Sequence, residues 1–297
     1  MRYHISHTTH YTYEQPVILQ PHTIRLRPRS DSSQTVESFS LTVTPTPKHQ
    51  SYFTDLDGNE LIKVWFEIEP TPSLTVHAES HVATHRTNPF EYLLEPWATH
   101  LPIDYPASLL VQLKPYLVGH RLGYSDSLDP VAAQLAQEIW LKVHGNPAGF
   151  LSELNAQIYK GCQHLIRDTG DPFPPGLTWT QKAGSCRDFS VLFTEVCRAI
   201  GLAARFVSGY QEGDPDNSER HLHAWAEVYL PGAGWRGYDP TQGLAVADRH
   251  IALVASSFSR YAAPITGTVS PGGVHSTMSY QLAIKPQSFE QSQDQDQ

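Results

Sequence analysis

Alternation of apolar and polar residues dominates the first 82 residues of the chain. It is visible in five segments, at residues 3–13, 22–28, 37–44, 61–68 and 74–82. In the last segment Leu74, Val76 and Ala78 alternate with polar side chains. A period of two predicts strands with one face in a core and the other in water. The first part of the chain is therefore expected to form a small all-β sandwich.

The pattern changes after an irregular stretch at residues 87–105, which contains three prolines and no sustained period. Helical patterns follow at residues 106–117, 130–143 and 150–167. The second of these begins with Asp129 as a cap before a proline in the first turn. We expect a β-rich domain at residues 1–100, a second domain at residues 101–290 and a disordered, low-complexity tail at residues 291–297.

Composition and charge exclude several classes of protein. The 297 residues are 40% hydrophobic and 17% charged, as in ordinary globular proteins. A formal net charge of −9 without a basic tract argues against nucleic acid or an anionic membrane as partner. The first residues lack the apolar segment of a secretory signal, and no apolar run approaches the roughly 18 residues of a membrane helix. We therefore expect a cytoplasmic protein, and its three cysteines argue against a disulfide framework.

One cysteine lies at the predicted start of a helix. After Cys186, apolar residues recur at helical spacing on one face, and the pattern ends at Gly201, which suits a left-handed C-terminal cap. Unpaired backbone N–H groups and the helix dipole stabilise a thiolate in a first turn. The alternative is that Cys186 is a small apolar residue of a buried face, as Cys197 and Cys162 are expected to be.

A histidine and an aspartate follow on two predicted strands. Residues 221–230 alternate, with His221 and His223 on the face opposite the apolar residues, and a glycine-containing turn leads to a second strand that ends near Asp239. A thiol nucleophile needs a base, and the base needs an acceptor that holds its tautomer. Cys186, His223 and Asp239 supply these three groups.

The expected strand register does not bring these groups together. If residues 231–234 form a four-residue loop, Asp239 falls opposite Ala226, about 10 Å from His223 along the strand and on the wrong face. A triad therefore requires a bulge or a register shift near the glycines.

Two other interpretations of the histidines remain open. His221 and His223 could lie on a solvated strand face, since the chain contains 16 histidines. They could also bind zinc together with Cys186 and an aspartate. The chain contains neither a Cys-x-x-Cys nor a His-Glu-x-x-His motif, and we predict no metal and no cofactor.

Three blocks of sequence resemble a known family. They are Gly-Ser-Cys-Arg-Asp-Phe at residues 184–189, the strand and turn at residues 222–235, and Tyr-Asp-Pro-Thr at residues 238–241. In order and spacing they resemble bacterial transglutaminase-like proteins of the papain-like superfamily, and residues 3–13 and 24–28 are similar to the N-terminal region of that family. The resemblance implies an α+β fold, with an N-terminal β-sandwich followed by a papain-like transglutaminase core of helices on an antiparallel sheet at residues 101–290.

The resemblance also implies roles for the site residues. Cys186 would be the nucleophile, His223 the general base and then acid, and Asp239 the orienting carboxylate. The chain departs from the family at His221, where relatives usually have aspartate, and in the segment after Ala247.

The oxyanion donors follow from the same arrangement. The backbone N–H of Cys186 at its helix start would be one donor. An indole N–H of Trp179 or Trp225 could be the second, although either tryptophan could simply pack in the core.

The reaction expected from such a site is thiol-dependent acyl transfer on an amide bond of a peptide or protein substrate. We favour hydrolysis of a peptide or isopeptide bond by a cysteine peptidase or amidase, because a cytoplasmic crosslinking enzyme would endanger its own cell. A crosslinking transglutaminase uses the same triad, and a non-catalytic binding or scaffold protein is a third possibility. The sequence determines neither the acyl acceptor nor the oligomeric state.

Overall fold

A computed structural model of the protein describes residues 1–118, 128–167, 170–213 and 220–287. The strands are β1 (Arg2–Leu19), β2 (His22–Ile24), β3 (Gln34–Thr44), β4 (His49–Thr54), β5 (Glu60–Trp65), β6 (Pro70–Thr84), β7 (Gln163–His164), β8 (Ala183–Gly184), β9 (Ala204–Gln211), β10 (Leu222–Leu230), β11 (Gly234–Asp239), β12 (Leu244–Ala245), β13 (His250–Ser256), β14 (Ile265–Thr266), β15 (Val269–Ser270) and β16 (Ser276–Gln287). The helices are α1 (Ala107–Leu113), α2 (Pro130–Lys142), α3 (Pro147–Gly161), α4 (Pro175–Gln181) and α5 (Cys186–Ala199), with single 3₁₀ turns at Pro96–Ala98, Lys114–Tyr116 and Ser259–Ala262. The predicted α+β class is confirmed.

The N-terminal strands form two sheets. One has the order β15-β1-β6-β3, with β16 also paired to β1, and the other has the order β14-β2-β5-β4. Alternate side chains of β1 and β6, among them Tyr3, Ile5, Leu74 and Val76, are buried, which is the result that the period-two pattern predicts. All five predicted strands are present, and the structure adds β4, which the sequence pattern did not reveal.

The last described strand returns to the first sheet. β16 pairs antiparallel with β1 from Tyr13↔Ser276 to Arg2↔Gln287, and β14 and β15 pair with β2 and β1. Residues 265–287 therefore complete the N-terminal sheets, so the strand-rich unit does not end at residue 100 as expected. Such pairing joins segments more than 200 residues apart, which no local pattern encodes. The predicted tail at residues 291–297 lies outside the described residues.

A third sheet, with the order β12-β11-β10-β9-β13, carries the helices. Helix α5 packs on β10 and β9, and α2, α3 and α4 pack around it. The apolar face predicted from its helical spacing, including Phe189, Leu192, Phe193 and Val196, is fully buried. Gly201 has φ 80° and ends the helix as expected.

The other predicted helices are confirmed with changed ends. The carboxylate of Asp129 accepts hydrogen bonds from the backbone N–H groups of Val131 and Ala132, and thus caps α2. Helix α3 ends at Gly161, six residues before the predicted end, because the chain then extends into β7 and pairs with β8. This pairing places β7 beside the residues that directly precede Cys186.

Candidate active site

Cys186 is the first residue of α5 and directly follows β8 and Ser185. A first-turn position leaves its backbone N–H without a partner inside the helix and exposes the sulfur to the positive end of the helix dipole. The close approach of the chain at residue 184 to the side chain of Asp188 requires glycine. A Cβ on Gly184 would lie 2.8 Å from the Cβ of Asp188. The thiol is partly exposed and is not in a disulfide.

The buried carboxylate of Asp188 fixes this helix start. Its Oδ2 accepts hydrogen bonds from the backbone N–H and the hydroxyl of Ser185, at 2.6 and 2.8 Å. Its Oδ1 accepts from Nη2 of Arg167 at 2.7 Å and from the backbone N–H of Phe173 at 2.6 Å. One carboxylate therefore ties the turn before Cys186 to the segment that forms a neighbouring wall of the site.

The turn between β10 and β11 is shorter than expected. Gly234 pairs directly with Leu230, so the loop contains only residues 231–233. Gly232 lies at its centre with φ 90°, in the region that favours glycine. A Cβ on Gly232 would also lie 2.4 Å from the carbonyl oxygen of Leu93, so the segment before the predicted domain boundary packs against this turn and helps to define it.

The shorter loop shifts the register of β11 by one residue. Tyr238 pairs with Ala226, and the next residue, Asp239, therefore lies opposite Trp225. The expected pairing of Asp239 with Ala226 is thus corrected. Because side chains alternate along a strand, Asp239 now shares a face with His223, and this is the register shift that a triad required.

The side chains of His223 and Asp239 are hydrogen-bonded. The Nε2 of His223 lies 2.7 Å from Oδ2 of Asp239. The other carboxylate oxygen accepts hydrogen bonds from the backbone N–H groups of Thr241 at 2.9 Å and Gln242 at 3.2 Å. Asp239 is fully buried, and the side chain of His223 is 12% exposed. The carboxylate is therefore held at both oxygens and directed at the imidazole.

The electrostatics of the pair favour a charged imidazole. Burial lowers the pKa of His223, but the negative charge of Asp239, its hydrogen bond and a further hydrogen bond with Cys186 outweigh this effect and raise the pKa to about 10. Burial raises the pKa of Asp239, but the charge and hydrogen bond of His223 and a hydrogen bond from His250 hold it well below its ordinary value. The buried carboxylate therefore favours the protonated form of the imidazole that faces Cys186.

His250, on β13, was not identified from the sequence. Its Nε2 lies 3.0 Å from the same Oδ2 of Asp239, and its side chain is 3% exposed. The available signal was weak, since His250 is a polar residue directly before the apolar run of a buried strand. No sequence motif links His250 to Asp239. Their strands, β13 and β11, are not adjacent in the sheet.

The two tryptophans considered as oxyanion donors lie in different places. Trp225 is 1% exposed, and its ring lies 6.3 Å from that of His223 and 5.3 Å from that of His250. Trp179 lies on α4, where Nζ of Lys182 is 2.8 Å from the ring centroid. Neither is among the described residues that line the cleft beside Cys186.

That cleft has a volume of about 1040 Å³ and is walled by both halves of the molecule. Cys186, His223 and the segment around Arg167 form one part of the lining, and His7, Thr9, Tyr11, Met278 and Tyr280 come from β1 and β16. His221 also faces it, and its Nδ1 is hydrogen-bonded to the hydroxyl of Tyr280. The N-terminal sheet is therefore a structural part of the site.

Within the described residues, one group of three side chains has the spacing of metal ligands. The potential ligand atoms of His223, Asp239 and His250 lie within 4.8 Å of one another. The zinc site considered from the sequence consisted of His221, His223, Cys186 and an aspartate. The observed group contains neither His221 nor Cys186. Both imidazoles are already within hydrogen-bonding distance of the same carboxylate oxygen, so the two Nε2 atoms and Oδ2 of Asp239 are paired without an ion.

Comparison with known proteins identifies two regions of the chain, one in the N-terminal sheets and one in the part that carries the helices and the third sheet. Residues 3–83 match the family model described as the bacterial transglutaminase-like N-terminal region, and residues 134–240 match the one described as the transglutaminase-like superfamily. An uncharacterized protein of Mycobacterium tuberculosis is 27% identical over 302 residues, which cover 96% of this chain and 93% of that protein. A protein-glutamine gamma-glutamyltransferase of Pseudomonas aeruginosa is 30% identical over 135 residues, covering 37% of this chain and 20% of that protein.

A solved structure has the same fold. The crystal structure of a "putative cysteine protease" from Cytophaga hutchinsonii superposes with a TM-score of 0.74 at 22% identity, covering 97% of this chain and 92% of that one. The match extends over both the β-rich and the helical parts.

Among the described helices, none has the length and the continuous apolar character of a transmembrane span.

Proposed function

Because the chain belongs to the bacterial transglutaminase-like proteins, we propose that it catalyses thiol-dependent acyl transfer on amide bonds. Cys186 is the nucleophile, His223 the general base and then acid, and Asp239 the orienting carboxylate. The observation that carries the proposal is the placement of His223, whose Nε2 is bound to a buried carboxylate while the ring also hydrogen-bonds the thiol at a helix start. This is the relation between base, orienting group and nucleophile that covalent catalysis needs.

Each step of the reaction has a group in the cleft. His223, acting as general base, takes the thiol proton of Cys186. The resulting thiolate attacks the amide carbonyl carbon, and the backbone N–H at its helix start donates to the developing oxyanion. The imidazolium of His223 gives its proton to the leaving amine as the C–N bond breaks, which leaves a thioester and a neutral imidazole. His223 then takes a proton from the incoming acceptor as the acceptor oxygen or nitrogen bonds to the acyl carbon. The C–S bond breaks, and the Cys186 thiolate is released beside the imidazolium.

We favour water as the acceptor and a peptide or protein as the substrate. The name of the Cytophaga hutchinsonii protein, a cysteine protease, is consistent with hydrolysis. A cleft of about 1040 Å³ also has room for an extended peptide segment. The product would be a carboxylic acid and a free amine.

Protein crosslinking is the second candidate. It is favoured by the Pseudomonas aeruginosa relative, whose name describes γ-glutamyl transfer involving protein glutamine. Both reactions share the thioester on Cys186, so the acceptor distinguishes them. A peptide library incubated with and without a primary amine, in water enriched in ¹⁸O, gives either an ¹⁸O-labelled acid or an amide, and mass spectrometry of Cys186 detects the shared acyl-enzyme.

The shared chemistry is tested by alkylation with iodoacetamide between pH 5 and 9. Ordinary thiols, with a pKa of about 8.5, react slowly at pH 6, whereas a thiol beside an imidazolium should react rapidly there. We expect a fast phase of alkylation that disappears in Cys186→Ala and persists in Cys162→Ala. Cys162 is the matched control because it is also a free, half-buried cysteine. A wild-type protein without a fast phase at pH 6 would favour the non-catalytic alternative.

A further inference from the structure

His250 shares one carboxylate oxygen with the proposed catalytic histidine. The Nε2 atoms of His223 and His250 lie 2.7 and 3.0 Å from Oδ2 of Asp239, and the two rings are 6.2 Å apart. We propose that His250 is a positioning residue, whose Nε2–H holds the Asp239 carboxylate so that it orients His223 toward Cys186. This inference rests on the proposed function.

The protonation of both rings follows from the carboxylate. An ionised carboxylate accepts hydrogen bonds and cannot donate them, so both imidazoles carry a proton on Nε2. The Nδ1 of His250 is buried and has no hydrogen-bond partner among the described residues. A proton there would leave a buried donor unsatisfied and a second cation beside His223, both of which are costly. His250 therefore donates from Nε2 to the carboxylate.

Four hydrogen bonds then determine the orientation of Asp239. Two imidazole N–H groups bind Oδ2, and the backbone N–H groups of Thr241 and Gln242 bind Oδ1. Without His250, one hydrogen bond to Oδ2 remains and the buried carboxylate has room to turn or to admit water. The effect on chemistry passes through His223, since His250 is not among the residues that line the cleft.

Packing holds the His250 ring in place. The ring of Trp225 meets it edge to face at a centroid distance of 5.3 Å. Trp225 reaches this position across β9 because residue 209 is glycine, where a Cβ would lie 2.5 Å from Cη2 of the indole. The strand that carries His223 therefore also supplies the aromatic support of His250.

The test compares His250→Gln, which keeps an N–H donor, with His250→Phe, which keeps a flat ring without one. The pH profile of Cys186 alkylation by iodoacetamide is measured for both variants and for the wild type, with circular dichroism as a check of folding. We expect the alkylation rate of His250→Phe at pH 6 to be about tenfold lower than that of the wild type. The rate of His250→Gln should lie close to the wild-type value. Loss of packing alone would impair the two variants equally.

Several outcomes would overturn the proposal. An unchanged pH profile in His250→Phe would do so, and so would equal impairment of both folded variants or a stoichiometric metal ion in the purified protein that His250→Gln loses. If the wild type itself has no fast alkylation, the proposed function fails together with this inference. If only the variants are unaffected, the inference alone fails.

A measurement on the unaltered protein covers the case in which a variant does not fold. ¹⁵N NMR of the histidine side chains at pH 7 should show a proton on Nε2 of His250. A His250 ring without a proton on Nε2 would contradict the proposed hydrogen bond.

Discussion

Replacement of Asp239 by asparagine removes the charge beside His223 and leaves the shape of the side chain almost unchanged. In the intact site the pKa of His223 is raised from 6.5 to about 10. At about 1.4 kcal/mol for each pH unit, the surroundings favour the imidazolium by about 5 kcal/mol. Burial alone acts in the opposite direction. In Asp239→Asn only the hydrogen bond and charge of Cys186 still oppose burial, and we therefore expect the pKa of His223 to fall well below 10.

The assay is an NMR titration of the histidine ring protons from pH 3 to 11, with His223 assigned by comparison with His223→Gln. His7 provides an internal control in the same cleft, because burial and then the charge of His77 lower its pKa to about 4, and neither cause involves Asp239. Loss of the imidazolium should also abolish the fast alkylation of Cys186 at pH 6. A His223 that titrates near 6.5 in the wild type, or one that still titrates above 8 in Asp239→Asn, would refute the reasoning.

The same shift predicts the pH dependence of stability. Because folding raises the pKa of His223, its contribution to the free energy of unfolding is complete below about pH 6.5 and is lost as the pH rises toward 10. The slope is about −1.4 kcal/mol per pH unit across this window. Urea unfolding of the wild-type protein should show this slope, and Asp239→Asn should lack it.

Three further predictions concern the surroundings of the site. Gly209→Ala should destabilise the protein by about 1–3 kcal/mol in urea unfolding and slow the alkylation of Cys186, because the added Cβ would lie 2.5 Å from the Trp225 ring. The control Gly161→Ala has open space around the added Cβ and should change neither stability nor alkylation. Asp188→Ala should cost about 3–5 kcal/mol because it leaves buried donors and a guanidinium without their acceptor; a loss below 1 kcal/mol would contradict this role. Gly232→Ala should disturb the β10–β11 turn, and unchanged chemical shifts of His223 would show that the turn does not control the register.

Much of the fold was accessible from local patterns. The alternation in β1 and β6 predicted strands, and the apolar spacing after Cys186 predicted α5 together with its end at Gly201. Both patterns depend on which face of an element is buried, and each is repeated within about a dozen neighbouring residues. The composition and the three family motifs then indicated the class of the fold and the three residues of the candidate site.

The arrangement of those residues was decided by contacts between distant parts of the chain. The register that brings Asp239 to His223 depends on a turn whose central Gly232 packs against Leu93. His250 reaches the same carboxylate from a strand that is not adjacent to β10. The pairing of β16 with β1 builds the second wall of the cleft. A sequence carries the periodicity of each element in neighbouring residues, but one residue of register or one distant hydrogen bond is selected only when the elements pack together.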